Sequence, residues 1–292
     1  MSGGGENPVI SGLSGARMKE NSAYLLSAVD VGGQEVKRLS AQAQLFLDLE
    51  LPFLLARAPA QGRVADFGSG SGAIGVALAQ ALPGCQVWGL DADPLAVSQG
   101  QALAESQGNL SFHRFALGQG QSAPLQGLDI AFSRLVLLHV SDPTAALRDM
   151  AAALQPQGQV YVVETDDSMM RFQPVEAWQS RLLDLLEAVQ VSRGGSRRRG
   201  AGIGNAMLAA GLRPKAVETV WYRKSAIGPA AFGELFVPVM DFYLKEAVRL
   251  GLAPEDDSQA LGQTARAFIA DPATEIAMAL LHWAGTLQAP GT

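Results

Sequence analysis

From Val64 to Glu164, short apolar runs alternate with segments of helix length, and this alternation constrains the fold more than any other feature of the chain. The runs are Val64–Phe67, Gln86–Leu90, Leu110–Phe115, Leu128–Phe132 and Gln159–Glu164. Between them, Ala73–Leu82, Pro94–Ser106 and Pro143–Leu154 place apolar residues at helical spacing. Parallel strands need a crossover connection, usually a helix, so the pattern reads as successive βαβ units. The expected class is α/β, a doubly wound and mainly parallel sheet with helices on both faces.

The flanking segments add helices to that core. Residues 1–15 are rich in Gly and Ser and read as disordered, and residues 16–60 read as an N-terminal helical cap. The core is expected over 61–227. Within it, Val175–Val191 reads as an amphipathic helix, Arg193–Gly204 as a Gly/Arg loop, and Lys215–Lys224 as a strand. Residues 228–272 are helical in pattern and read as an inserted lid. Residues 273–292 hold the segment Glu275–Thr286, whose pattern suits a last strand or a last helix.

Composition narrows the function classes. At 292 residues the chain can bury a core without disulfides, and its single cysteine, Cys85, excludes an internal one. The net charge of −6 argues against a nucleic-acid partner, because phosphate binding rests on clustered Lys and Arg. The stretch Met1–Pro8 has neither the basic nor the apolar region of a signal peptide, and no apolar run approaches the ~20 residues of a membrane-spanning helix. The expected setting is the reducing cytoplasm, with no membrane partner. The sequence leaves the oligomeric state, including a homodimer, open.

The loop Asp66-Phe67-Gly68-Ser69-Gly70-Ser71-Gly72 joins the first strand to the first helix. Glycines there allow a tight turn and let backbone approach a ligand at a helix N-terminus. Gly70-Ser71-Gly72-Ala73-Ile74-Gly75 matches G-x-G-x-x-G, and Asp91 follows about 20 residues on, as a dinucleotide fingerprint asks. Asp66 separates the readings. A carboxylate at the end of the first strand repels a pyrophosphate but suits a cationic α-amino group, such as that of a methionine moiety. Asp91 can accept from both ribose hydroxyls in either case.

These residues resemble the first motif of the seven-strand, class I S-adenosylmethionine-dependent methyltransferases. Gly89-Leu90-Asp91-Ala92-Asp93-Pro94 resembles the second motif, Leu128–Phe132 followed by Leu137–Pro143 the fourth-strand region, and Leu154–Gln159 the loop before the fifth strand. The segments Glu35–Gln42 and Gly194–Gly204 resemble parts of bacterial and fungal small-molecule methyltransferases. The resemblance implies strand order 3-2-1-4-5-7-6 with strand 7 antiparallel, which favours the strand reading of Glu275–Thr286. It also implies S-adenosylmethionine as cofactor, with S-adenosylhomocysteine as product. Asp66, Gly68, Ser69, Gly70, Gly72, Asp91 and Ala92 would hold it. Ala116 and Leu117 would lie against adenine, since Phe115-Ala116-Leu117-Gly118 lacks the acid often found there. Ser133 and Arg134 would line the methionine end; Tyr24 and Arg38, on the N-terminal helices, would close over the cofactor or serve in helix packing.

Methyl transfer is an in-line displacement that gains most from alignment and exclusion of water. His139, just past the fourth strand, is the candidate base, and packing is its alternative role. Glu164, Asp166 and Asp167 end the fifth strand and are candidates for a substrate amine. No metal is expected, because Ser133-Arg134 supply no acidic ligand after the fourth strand. Asp142-Pro143 reads as a helix cap. Phe232, Phe236, Met240, Phe242 and Trp178 are candidates for an apolar pocket wall, or for core. The expected acceptor is an O, N or S atom of a small molecule. A tRNA or rRNA methyltransferase and an NAD-dependent dehydrogenase are the alternatives.

Overall fold

The structure is a computed structural model that describes residues 43–120 and 123–288. The expectations for residues 1–15, Tyr24 and Arg38 lie outside the described residues. Residues 43–49 are helical, and α1 (Leu51–Leu55) follows them. Then come β1 (Gly62–Phe67), α2 (Ala73–Ala81), β2 (Cys85–Asp91), α3 (Pro94–Ala104), β3 (Leu110–Arg114) and β4 (Leu128–Arg134). A 3-10 turn at Leu137–His139 leads to α4 (Pro143–Ala152), β5 (Leu154–Thr165) and the short β6 (Arg171–Gln173). The chain continues through α5 (Ala177–Ser192), α6 (Ile203–Ala209), β7 (Leu212–Arg223), α7 (Lys224–Ile227), α8 (Pro229–Arg249), α9 (Glu255–Ala270) and β8 (Glu275–Leu287).

The sheet runs β3-β2-β1-β4-β5-β8, with β7 along the other side of β8. The pairs among β1 to β5 are parallel, and β8 is antiparallel to both β5 and β7. This is the order 3-2-1-4-5-7-6 that the resemblance implied, and Glu275–Leu287 is a strand. The sequence did not foreshadow β6. It pairs with Glu275–Ala277, beyond the Leu280–Thr286 stretch that β5 takes. Among the described residues no helix is long and apolar enough to cross a membrane.

The central strands are apolar on both faces because both faces are covered. Along β1, Ala65 and Phe67 join a core with Leu90, Leu137, Met150 and Val162. Val64 points the other way, into a core with Phe46, Leu54, Leu78, Phe132 and Tyr161. A third core is separate. Leu182, Leu186 and Val189 of α5 pack there with Phe232, Phe236 and Met240 of α8 and with Leu261 and Phe268 of α9.

That third core decides between the two readings of the aromatic set in favour of core. Phe232, Phe236 and Met240 are 1%, 5% and 0% exposed inside it. Trp178 stands edge-on to Phe268 at 5.3 Å, and Phe242 lies under the Arg193 guanidinium at 5.2 Å. The two helices of 229–270 thus bury their apolar faces on α5 and on each other. Lys224, almost fully buried, ties the start of this cap to its return, donating to the Asp271 carbonyl and to Thr274 Oγ1.

Candidate functional site

At the carboxyl end of β1 the chain turns on three glycines with positive φ: Gly68 (79°), Gly70 (53°) and Gly72 (88°). Left-handed backbone costs a residue with a Cβ about 1–2 kcal/mol. At Gly68 a Cβ would also stand 2.3 Å from Val136 Cγ2, because the segment after β4 packs against the loop. At Gly72 it would meet Phe112 and Gly100 at 2.8 and 2.9 Å. Gly68→Ala is therefore expected to lower Tm by roughly 2–8 °C, on the usual scale of a few degrees per kcal/mol. Differential scanning fluorimetry checks it, and an unchanged Tm would show that the loop relaxes freely.

The loop is braced by β2. Gly68 and Ser69 donate their N–H groups to the Leu90 carbonyl at 2.6 and 3.0 Å. Gly70 donates to Asp91 Oδ2 at 2.8 Å, and Asp93 donates to Asp91 Oδ1 at 2.9 Å. Each Asp91 oxygen keeps acceptor capacity beyond these bonds. Asp93 caps α3 by accepting from Leu95, and Pro94 occupies its first turn. Ala92 accepts from Arg114 Nε. After β3, Ala116 and Leu117 are half-buried, and Asp149 of α4 accepts the next N–H, that of Gly118, at 2.6 Å.

Asp66 is the least satisfied acid of the loop. It is 2% exposed, and its Oδ2 has no hydrogen-bond partner among the described residues. Burial pushes its carboxyl up to about 7; the Asp91 charge adds to this, and Arg134 opposes it. Burial raises Asp91 in the same direction, against the loop N–H bonds that favour its ionised form. Ser69 Oγ and Ser133 Oγ are also buried without partners among the described residues. Buried polar groups are nearly always paired, so three orphans around one glycine turn mark where a ligand's polar groups fit. A cation and hydroxyls are what this set of acceptors can take.

β4 closes the crevice from the other side. Leu135, directly after it, holds φ of 55° while donating its N–H to Val163, a strained conformation of the kind found at functional turns. Arg134, expected at the methionine end, has Nε and Nη2 committed to Glu50, with an Nη2–Oε1 distance of 2.7 Å. Nη2 also donates to Tyr222. Arg134 acts on Asp66 through its charge.

The acids at the end of β5 are turned inward, which corrects their reading as amine ligands. Glu164 accepts the N–H groups of Leu138 and Thr165, both at 3.0 Å, and burial pushes it up to about 7. Asp166 accepts from Ser168 and Ala201, and Asp167 pairs with Arg197. Asp142 caps α4 by accepting from Ala145. His139 sits half-buried in the 3-10 turn, with Nδ1 3.3 Å from Gln190 Nε2.

Sequence reading missed the buried cluster in which Glu50, Tyr222 and His282 meet. Tyr222 donates to Glu50, Tyr161 and His282 Nδ1 are 2.8 Å apart, and His282 Nε2 lies 3.5 Å from Glu50 Oε2. One signal was available. Glu50 falls in phase with Phe46 and Leu54, at i, i+4 and i+8, so it is a carboxylate on an apolar helix face.

Comparison with known proteins agrees with this frame. Residues 65–160 match a family model described as a methyltransferase domain. A ubiquinone biosynthesis O-methyltransferase of Serratia proteamaculans is 30% identical over 158 residues, 48% of this chain and 64% of that protein. A release factor glutamine methyltransferase of Gloeobacter violaceus is 42% identical over 67 residues, 23% of each chain. The chain thus spans less than two thirds of the length of these curated relatives. Among solved structures, the Bacillus subtilis YcgJ protein superposes with a TM-score of 0.53 at 18% identity, covering 82% of this chain and 97% of that one. The [4+2]-cyclase SpnF gives 0.51 at 17% identity, covering 85% and 81%, so the shared fold does not dictate one chemistry. Residues 65–160 thus match the methyltransferase-domain family, within a chain whose sheet has the strand order expected of the class I S-adenosylmethionine-dependent methyltransferases.

Proposed function

We propose that this chain binds S-adenosylmethionine at the carboxyl ends of β1, β2 and β4 and moves its methyl group to an O, N or S atom of a small-molecule acceptor. The observation that carries the reading is Asp66, a buried carboxylate with an unpartnered oxygen beside the glycine turn. Asp66 would take the cofactor's ammonium, and Asp91 its ribose hydroxyls. Ala116 and Leu117 would lie against adenine, and Ser133 would meet the methionine end. When bound, the cofactor supplies a sulfonium-activated methyl group. The protein's part is to orient donor and acceptor in line and to exclude water. The cap of 229–270 would serve as a lid over the acceptor.

Thermal shift tests cofactor identity. S-adenosylhomocysteine is expected to raise Tm and NAD to leave it unchanged; the reverse result would move the site to the dehydrogenases. The release factor relatives make a protein glutamine the second reading of the acceptor. Transfer of labelled methyl to small phenols, thiols and amines, set beside transfer to a release factor, separates the two.

A further inference from the structure

Behind the 3-10 turn stands Gln190 of α5, which is 1% exposed, and its surroundings fix the orientation of its amide. Nε2 lies 2.9 Å from the Leu138 carbonyl oxygen and 3.3 Å from His139 Nδ1. Oε1 receives the Tyr243 hydroxyl. A carbonyl oxygen only accepts, so the group facing Leu138 must be the NH2; turning the amide over would set two carbonyl oxygens against each other. One N–H of that NH2 goes to Leu138, and the other is directed at His139 Nδ1. A ring nitrogen that accepts carries no proton, so the neutral imidazole has its proton on Nε2.

We propose, on the reading of this site as a methyltransferase, that Gln190 is a positioning residue that holds His139 in its Nε2–H form, making the ring a hydrogen-bond donor and not the base. The rest of the local structure keeps Gln190 in that role. The ring of Tyr243 lies 5.0 Å from the Arg197 guanidinium, and Arg197 is paired with buried Asp167 at 2.5 Å. A Cβ at Gly195 would stand 2.3 Å from Gln190 Nε2 and 2.1 Å from the Leu138 oxygen, so only glycine leaves the amide its place. Several charged groups on the described elements around the turn have partners of their own. Glu164 accepts from Leu138, Arg199 donates to the Val140 carbonyl, and Ser196 and the Arg197 N–H hold Glu187.

The chemical consequence concerns the acceptor's proton. As the S–CH3 bond breaks and the acceptor–CH3 bond forms, a neutral amine can keep its protons as an ammonium, but a hydroxyl or thiol must shed its proton. With His139 as a donor, it passes to solvent or has already been lost. The acceptors that suit this are those ionised or unprotonated near neutrality, such as a thiolate, an acidified phenol or a neutral amine.

Long-range 1H–15N correlation on the full chain with labelled histidine reads the tautomer directly, and the three histidines keep the spectrum simple. The neutral His139 ring is expected to carry its proton on Nε2. In Gln190→Glu, where a carboxylate can only accept, the proton is expected to move to Nδ1. An Nδ1–H ring in the unaltered protein overturns the proposal, whether or not the variant folds, and so does a tautomer indifferent to Gln190→Glu. Activity gives an independent check. His139→Gln, which keeps an N–H donor, is expected to recover most of the kcat lost in His139→Ala. If His139 is the base, both variants lose about 10²–10⁴-fold and Gln is no better than Ala. Failure to bind S-adenosylhomocysteine would sink the methyltransferase reading while leaving the tautomer measurement intact.

Discussion

Asp66→Ala is expected to weaken S-adenosylhomocysteine binding at least a hundredfold, about 3 kcal/mol, at pH 8. The carboxylate is buried and its Oδ2 lacks a partner among the described residues, so a cationic ammonium at that oxygen gains both Coulomb attraction and a charge-assisted hydrogen bond. The same burial sets a pH dependence whose sign can be worked out. The folded carboxyl titrates at about 7, above its ordinary 3.8, so the folded state holds a proton that the unfolded state has released. Stability from this group is therefore present below pH 4 and is lost as pH rises from about 4 to 7. By pH 8 that cost is about 4 kcal/mol, at ~1.4 kcal/mol per pH unit.

A bound ammonium reverses the penalty, because it stabilises the ionised form. The Tm increment from S-adenosylhomocysteine is thus expected to be larger at pH 8 than at pH 5.5. Asp66→Asn should flatten that difference and stabilise the unliganded protein at alkaline pH. Glu164 is raised in the same way, so part of the alkaline loss of the free protein persists in Asp66→Asn. Isothermal titration and thermal shift across this range test the argument. Unchanged affinity in Asp66→Ala removes Asp66 from the cofactor site, and equal increments at both pH values remove the electrostatic account.

The second large effect is expected at Glu50 and Arg134. Their side chains are 0% and 4% exposed, joined through Nε and Nη2, and tied to Tyr222. Breaking such a pair leaves a buried charge without its partner, which costs about 3–5 kcal/mol. Glu50→Gln is accordingly expected to lower Tm by roughly 10 °C. Arg134→Met with Glu50→Leu removes both charges and should recover most of that loss, since well-packed apolar replacements of buried pairs are often neutral or better.

Arg134→Met alone has a further reading. Arg134 is the positive charge that lowers Asp66, so changing it should weaken cofactor binding beyond the loss of stability. Calorimetry on Arg134→Met, Glu50→Leu and their double variant forms the cycle. A Glu50→Gln protein within 1 °C of the parent would show that the pair contributes nothing to the fold.

What was legible in the sequence depended on how local each signal is. The strands and helices of 62–165 were readable because a parallel sheet buried on both faces leaves an uninterrupted apolar run between turn residues. The glycine turn was readable because positive φ selects glycine at 68, 70 and 72. Asp66 and Asp91 could be placed because each ends a strand next to that turn. The cap helices of 229–270 were legible as helices from their apolar period, yet their partner was not. That Phe232, Phe236 and Met240 face α5 and not a pocket depends on where an element some fifty residues earlier comes to lie.

The sequence by itself therefore determined the α/β alternation, the strand-end acids and the glycine turn, because each follows from backbone geometry or burial within a few residues. Only the tertiary structure decided the fate of the remaining polar side chains. It paired Glu50 with Arg134 across 84 positions, turned Glu164 onto the Leu138 N–H, and set Gln190 against His139 from 51 positions away. A buried polar group must find its complement wherever the chain brings one within about 3 Å, and no local pattern records that meeting.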